Sequence, residues 1–527
     1  MFNITIKLTN ENGFVWHNIK GVYFKGYLLN EGKYLTGAEA VVFIKEKLLD
    51  DNDISDNLNE LNGVYTIIYE KSKKMLICSD RMRSFPLFYC RNENQFVLTD
   101  DPETLKSIYP ELDDEAIKIF LYTGYVTGEK TLLKNVFQVQ AGEFILIDNN
   151  GLSKKFYHQY HSDKLIDNEI YLEEELLSII NQIGDDLAQS LEGKTPVVPL
   201  SSGFDSRLIA AMLKKKGFDN VITFTYGRKN NPELDLSRKT AEQLGFEWKF
   251  IEYNRENVKG FINSEIFNNY YPKASNYTSM FYLQEFFAMD VLKNSIPKNS
   301  VLIPGHSGDF FAGSHLNESI IFAVSKEDII KEIILKHFSN RKTDDKNYKF
   351  IHESIEKFLG NKESYSYLDF ENWDLKERQA KFVINSNRIY DFFNLEYRLP
   401  LMDSRLMDFY SKVHPDLKFC KKLYDKVLQN IFFKEFNLNY PKETNPTFSD
   451  LKVQNAKNSL KKILPKKIIN FYKEKFKINS DIYYNIGVTD EMAKDMIDKG
   501  AIIDETGENR NSIIIQWYMH QVINNKI

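Results

Sequence analysis

Residues 199–207 read Pro-Leu-Ser-Ser-Gly-Phe-Asp-Ser-Arg, which places three hydroxyls and a carboxylate in one short, small-residue stretch. The apolar run Pro196, Val197 and Val198 precedes it, and Leu208, Ile209, Ala210, Ala211, Met212 and Leu213 follow, with lysines beyond. That pattern predicts a strand, a tight turn and a helix N-terminus. Backbone N–H groups at a helix start, together with the positive end of its dipole, make an anion cradle. Leu200, Ser201, Ser202, Gly203 and Ser206 are the candidates to form it. Asp205 would repel a bare phosphate, but it becomes a ligand once Mg²⁺ lies between them, so the loop asks for a metal nucleotide. An ordinary strand-to-helix turn with a serine cap stays open on these residues alone.

The loop lacks the lysine of a Gly-x-x-x-x-Gly-Lys-Ser/Thr sequence and carries its Asp inside the turn. It resembles the Ser-Gly-Gly-x-Asp-Ser pyrophosphate loop of ATP pyrophosphatases, with Ser202 where the first Gly usually stands. Residues 302–313, Leu-Ile-Pro-Gly-His-Ser-Gly-Asp-Phe-Phe-Ala-Gly, repeat the same logic. They resemble the Gly-Glu-Gly-Ser-Asp-Glu-Leu-Phe-Gly-Gly signature of asparagine synthetases and their β-lactam synthetase-like relatives. Asp309 falls on the signature's Asp, Phe310 replaces the Glu after it, and His306 replaces its acidic second position. Residues 396–403, Glu-Tyr-Arg-Leu-Pro-Leu-Met-Asp, resemble the family's Glu-x-Arg-x-Pro-Phe-Leu-Asp segment. Residues 440–448 resemble the segment that brings a lysine, here Lys442, to the reacting groups, with Lys422 and Lys426 as lesser candidates.

The resemblance implies ATP bound by the first loop and Gly305, and Mg²⁺ shared by Asp205 and Asp309. It implies Lys442 beside the charge that develops, and a carboxylate adenylated before an amine attacks it. His306 is the candidate base for that amine, with Glu396 to orient the ring and raise its pKa.

These groups need two kinds of scaffold. At 527 residues, 43% hydrophobic and 27% charged, the chain is globular and long enough for roughly two to four domains. Short alternating runs at 3–8, 21–28, 63–69, 74–78, 87–90, 96–99 and 144–147 predict antiparallel strands, with helices near 37–49 and 114–123. Residues 1–165 are expected to form this layered α+β domain. Its segments at 61–66, 78–81 and 85–89 resemble the glutaminase core of class II glutamine amidotransferases, an Ntn-hydrolase-like fold. Phe2 stands where that family's nucleophilic cysteine would be, and residues 25–30 replace its oxyanion segment, so a degenerate glutaminase is expected. Cys78 and Cys90 are read as core residues.

From 166 to 527 the alternation changes. A helix at 165–191, the loop strand, a strand at 220–227 and a helix at 232–244 predict α/β architecture, a doubly wound parallel sheet of ATP pyrophosphatase type with added helices. Phe224 and Tyr226, at one strand's carboxyl end, are expected to border the adenine. Segments at 326–337, 351–359 and 459–477 are helical in period, and 512–522 closes the core.

A net charge of −5 gives no overall pull toward nucleic acid or an anionic membrane, and three dispersed cysteines suit a reducing cytosol. Without an apolar run long enough to span a bilayer, a cytoplasmic protein is expected. The expected activity is ATP-dependent amide-bond formation between a small-molecule or peptide carboxylate and an amine, without a glutaminase. Asparagine-type amidation with ammonia, a non-catalytic ATP-binding scaffold and sulfur transfer to tRNA stand as alternatives. A homodimer or a biosynthetic partner protein is left open.

Overall fold

The computed structural model describes residues 2–9, 13–48, 53–71, 74–229, 231, 233–440, 487–504, 506 and 511–524. In the N-terminal part, a seven-stranded antiparallel sheet runs Gly151–Phe156, Glu143–Asp148, Lys74–Ser79, Asn62–Lys71, Val22–Asn30, His17–Ile19, with Lys33–Thr36 also paired on Val22–Asn30. A four-stranded sheet, Asn3–Lys7, Gln95–Thr99, Phe88–Arg91, Val136–Gln138, lies against it. Successive side chains of Asn62–Lys71 point to opposite faces. Ile68 packs between the sheets with Ile77, Tyr89, Phe96 and Ile145, while Ile67 packs with Ala40, Val41 and Ile44 of helix Gly37–Lys47. Burial on both faces explains why this strand reads as a continuous apolar run rather than an alternating one.

Strands His17–Ile19, Lys33–Thr36, Val136–Gln138 and Gly151–Phe156 are additional to those read from the sequence. Gly151–Phe156 is Gly-Leu-Ser-Lys-Lys-Phe, a polar edge strand that owes its existence to pairing with Glu143–Asp148. Cys78 and Cys90 are buried inside strands, and burial pushes both thiols above their usual range. The segment compared with an oxyanion loop is part of Val22–Asn30, paired along its length with Asn62–Lys71.

The second part is built on a five-stranded parallel sheet in the order Glu247–Glu252, Ile222–Gly227, Thr195–Pro199, Ser300–Leu302, Glu396–Tyr397. From Thr195–Pro199 the chain winds outward to one side through helices Phe204–Lys215 and Glu233–Leu244, then returns to place Ser300–Leu302 on the other. The winding reverses between Thr195–Pro199 and Ser300–Leu302, so the loops after these strands open a crevice at their carboxyl ends. Helix Asn511–Ile523 closes the far side, with Trp517 against Tyr271 at 5.0 Å and Tyr518 against Phe120 at 5.5 Å between ring centroids.

The two domains are joined by buried polar contacts as well as apolar ones. Arg388 Nη2 donates to Ser84 O (3.0 Å), Lys376 Nζ to Ala141 O (2.9 Å) and His158 O (3.0 Å), and Asn62 Nδ2 to Asp403 Oδ2 (2.9 Å). Among the described residues no helix is long and apolar enough to cross a membrane.

Candidate active site

The residues 200–206 loop is pinned to the neighbouring strand: Leu200 N–H donates to Phe224 O (2.8 Å) and Thr225 Oγ1 donates to Leu200 O (2.7 Å). Within it, Ser206 Oγ accepts from Ser201 N–H at 3.1 Å and shares a 3.0 Å bond with Ser201 Oγ, which accepts from Gly203 N–H at 3.1 Å. The serines therefore shape the turn. Gly203 caps helix Phe204–Lys215, whose first turn carries Asp205.

The second loop reaches Asp205 directly. Asp309 N–H donates to Asp205 Oδ2 at 2.9 Å, and Tyr424 Oη donates to Oδ1 at 3.0 Å. Two glycines permit the approach: a Cβ on Gly308 would stand 3.0 Å from Asp205 Oδ2, and one on Gly305 would stand 2.9 Å from Ser206 N. Burial, with the negative charge of Asp309 added, raises the Asp205 carboxyl to about 7. A cation between the two carboxylates would relieve that repulsion, and their hard oxygens suit Mg²⁺. No cluster of three or more metal-ligating side chains occurs among the described residues, so phosphate and water would complete the shell.

Above this floor is a cleft of about 390 Å³. Leu200, Ser201, Gly203, Asp205, Ser206, Phe224, Tyr226, Gly305, His306 and Asp309 all line it, from three separate strand ends. Ser202 does not; its carbonyl accepts from Arg207 Nη2 at 2.8 Å outside the lining. Tyr226 stacks on Tyr253 with centroids 5.5 Å apart, which gives one wall a flat aromatic surface.

The placements of Glu396, His306, Lys422 and Lys426 differ from those expected. Glu396 is not part of the cleft lining: it pairs with Val301, and its carboxylate meets Lys194, just before the amino end of Thr195–Pro199. There its carboxylate accepts from Lys194 (2.8 Å) and Arg398 (3.0 Å), and Arg398 lies over the Tyr27 and Tyr34 rings of the N-terminal domain at 5.2 and 4.7 Å. The residues 396–403 segment thus forms the domain seam, and a parallel register that starts at Val301 decides it. His306 meets Ser386 Oγ at 3.4 Å instead, and burial lowers its pKa to about 4 rather than raising it. Lys442 lies outside the described residues. Lys422 and Lys426 bond Glu169 and Glu173 and line no part of the cleft.

Phe310 turns away from the cleft floor into the core, stacked on His315 at 4.5 Å, so its replacement of a carboxylate concerns packing. The lining also holds residues that the sequence did not single out, among them Lys421 and Glu285. Lys421 enters because Cys420 and Lys421 both adopt left-handed backbone, φ 54° and 59°, which turns the side chain toward Asp205. Glu285 is 2% exposed and accepts from Tyr390 Oη at 3.0 Å; burial raises its carboxyl to about 7. Its signal was an acid inside the apolar stretch Phe281, Tyr282, Leu283, Gln284, Glu285, Phe286, Phe287.

Residues 188–513 match the asparagine synthase family, and residues 48–160 match a glutamine amidotransferase domain. The chain is 23% identical over 303 residues to the microcin J25-processing protein McjC of Escherichia coli, covering 56% of this chain and 55% of that protein. It is 25% identical over 274 residues to the glutamine-hydrolysing asparagine synthetase of Mus musculus, covering 50% and 41%. The chain spans about half the length of the curated relatives it matches. Among solved structures, an NH3-dependent NAD synthetase from Campylobacter jejuni overlaps 35% of this chain and 81% of its own at a TM-score of 0.20 and 18% identity, too slight an overlap to argue from. The family match runs through both loops of the cleft and over more than half of the sequence: the chain belongs to the asparagine synthase family.

Proposed function

We propose that the protein is an ATP-dependent carbon–nitrogen ligase: it adenylates a substrate carboxylate, releasing pyrophosphate, and couples the acyl group to an amine. The observation that carries this reading is the meeting of the two loops at the switch point, where Asp309 N–H bonds Asp205 Oδ2 at 2.9 Å over the start of helix Phe204–Lys215. A bound Mg²⁺ would supply charge neutralisation on the phosphates. The helix start and the 200–206 turn receive the phosphate oxygens, the Tyr226 wall takes the adenine face, and Lys421 offsets charge from the side of Asp205. Lys442 is retained as a further lysine for the same purpose. Similarity to a protein named for microcin processing favours an amine on a second substrate, or on the same molecule, over free ammonia. The buried Cys78 and Cys90 thiols support the absence of a glutaminase acting through either cysteine. A soluble cytoplasmic setting and small-molecule or peptide substrates belong to the same proposal.

The test is ATP–pyrophosphate exchange with a panel of carboxylic acids and Mg²⁺. Exchange with one of them supports the reading. An absence of exchange and of pyrophosphate release across the panel, with Mg·ATP shown to bind, leaves the scaffold alternative.

His306 takes a different part from the base expected of it. Held neutral above about pH 4 by burial, it is too weak a base at neutral pH, but its N–H can donate to the oxygen of the reacting carbonyl. A His whose folded pKa is depressed changes charge below the neutral range, so the pH profile of amide formation between pH 6 and 9 should not depend on it. His306→Ala should slow amide formation by roughly 10²-fold, as for a lost oxyanion donor, and His306→Gln, which keeps an N–H, should recover part of that. If His306→Gln removes a rise with pH that the wild type shows near neutrality, His306 is the base after all.

A further inference from the structure

Glu285 lies on the cleft wall, and its surroundings are unusual for a carboxyl group. Its Oε1 accepts from Tyr390 Oη at 3.0 Å, and no protein donor among the described residues reaches Oε2. The backbone on either side is fixed: Tyr270 Oη donates to Tyr282 O (2.6 Å) and Tyr253 Oη donates to Gln284 O (2.9 Å). The protein supplies a donor to one oxygen of this nearly buried carboxyl and leaves the other to a group in the cleft that Glu285 lines. His306 is tied to Ser386, and Glu285 to Tyr390, four residues further along the same helical run. The carbonyl-facing imidazole and the carboxyl are thus anchored about one helical turn apart along that run.

We propose that Glu285 receives the amine: its open oxygen pairs with the ammonium group of a cationic nucleophile and takes the proton that must leave before the nitrogen attacks. The assignment rests on the adenylating function proposed above and adds to it the class of the second substrate, an amine that enters as a cation. In the step, R–NH3⁺ gives one proton to the carboxylate, and the nitrogen lone pair then forms the C–N bond with the acyl carbon. The bond from that carbon to the AMP oxygen breaks and AMP leaves with its electron pair. The second N–H proton passes to solvent.

The hydroxyls facing Glu285 are those of Tyr226, Tyr270 and Tyr390, with Tyr282 bonded to Tyr226 at 3.3 Å; burial pushes the first three well above their usual range. His306 stays neutral, and among the described residues the cleft's other charged groups are Glu233, Lys421 and the Asp205 and Asp309 pair. Glu285, at about 7, is therefore suited to exchange a proton near neutrality. The sign for stability is the reverse of a salt-bridged acid. With its folded pKa above the ordinary carboxyl range, Glu285 favours folding less as pH climbs from that range to about 7, and the loss is complete above it.

Two variants and two probes test the proposal. At pH 8, propylammonium chloride should raise the unfolding midpoint of the wild type above that in sodium chloride of equal ionic strength, and should not do so in Glu285→Gln. This arm needs no knowledge of the acid and stands even if the adenylation assay fails. With an acid that supports exchange, the ratio of amide formation to exchange should fall about 10²-fold in Glu285→Gln when propylamine is the nucleophile. It should fall far less with hydroxylamine, which is largely uncharged at neutral pH, and Glu285→Asp should restore part of the propylamine rate. Equal stabilisation of both proteins by propylammonium, an equal loss with both nucleophiles, or a loss confined to ATP affinity each overturns the assignment.

Discussion

Asp205→Asn and Asp309→Asn are each expected to lower Mg²⁺-dependent ATP–pyrophosphate exchange by roughly 10³-fold or more, the several kcal/mol that a bound metal contributes to phosphoryl chemistry. An amide is a poor ligand for a hard cation and removes a charge the site requires. The two positions differ in a way that helps interpretation. Asp205 also organises the floor, accepting from Tyr424 and from Asp309 N–H, whereas the Asp309 side chain is exposed to the cleft and contributes to the floor through its backbone. Asp309→Asn should therefore leave the unfolding midpoint unchanged while raising the Mg²⁺ concentration needed for half-maximal exchange. Asn at 205 keeps an acceptor for one of the two donors, so its circular dichroism should match the wild type. Near-normal exchange in either variant would remove that carboxylate from the metal site.

The largest stability effect is expected at Lys418. Its Nζ lies 2.7 Å from both oxygens of Glu371 and 3.2 Å from Tyr160 Oη, and neither charged group is more than 1% exposed. Burial alone would push the Glu371 carboxyl up; Lys418, with His315 at 3.1 Å, instead holds it below its usual range. Lys418→Met strands that carboxylate in the core and should cost about 3–5 kcal/mol, read as a lower guanidinium midpoint. The double variant Lys418→Met with Glu371→Gln should recover much of the loss, because no unpaired charge remains. Lys421 follows three residues later and depends on the same segment, so exchange in the folded single variant should need more ATP. A single variant as stable as the wild type would show that the pair contributes nothing beyond what an apolar contact supplies.

Local chemistry is what the sequence carried. Pro-Leu-Ser-Ser-Gly-Phe-Asp-Ser-Arg specifies a strand, a turn and a capped helix within a few residues, so the 200–206 cradle and its Asp205 could be read directly. The second loop followed because it repeats the same order of residue types. Most strands of the N-terminal domain announced themselves through apolar runs, whereas polar edge strands such as Gly151–Phe156 did not, since pairing and not composition creates them. Helix Lys326–His337 was legible from its period.

Partnership between distant residues was decided by the tertiary structure. Glu396 and His306 stand in separate segments, and nothing in either fixes a register; a bridge that pairs Glu396 with Val301 sends one carboxylate to the domain seam, while the loop after Leu302 sends the imidazole to the cleft. Lys421 and its neighbours Lys418 and Lys422 are the same residue type in sequence, yet a left-handed turn at 420–421 directs them to the cleft, the core and the surface, respectively. Glu285 looks like an ordinary acid until folding nearly buries it on the cleft wall with one oxygen held by Tyr390. Side-chain identity fixes what a group can do; burial, register and the neighbours brought by other strands fix its charge state and what it can reach.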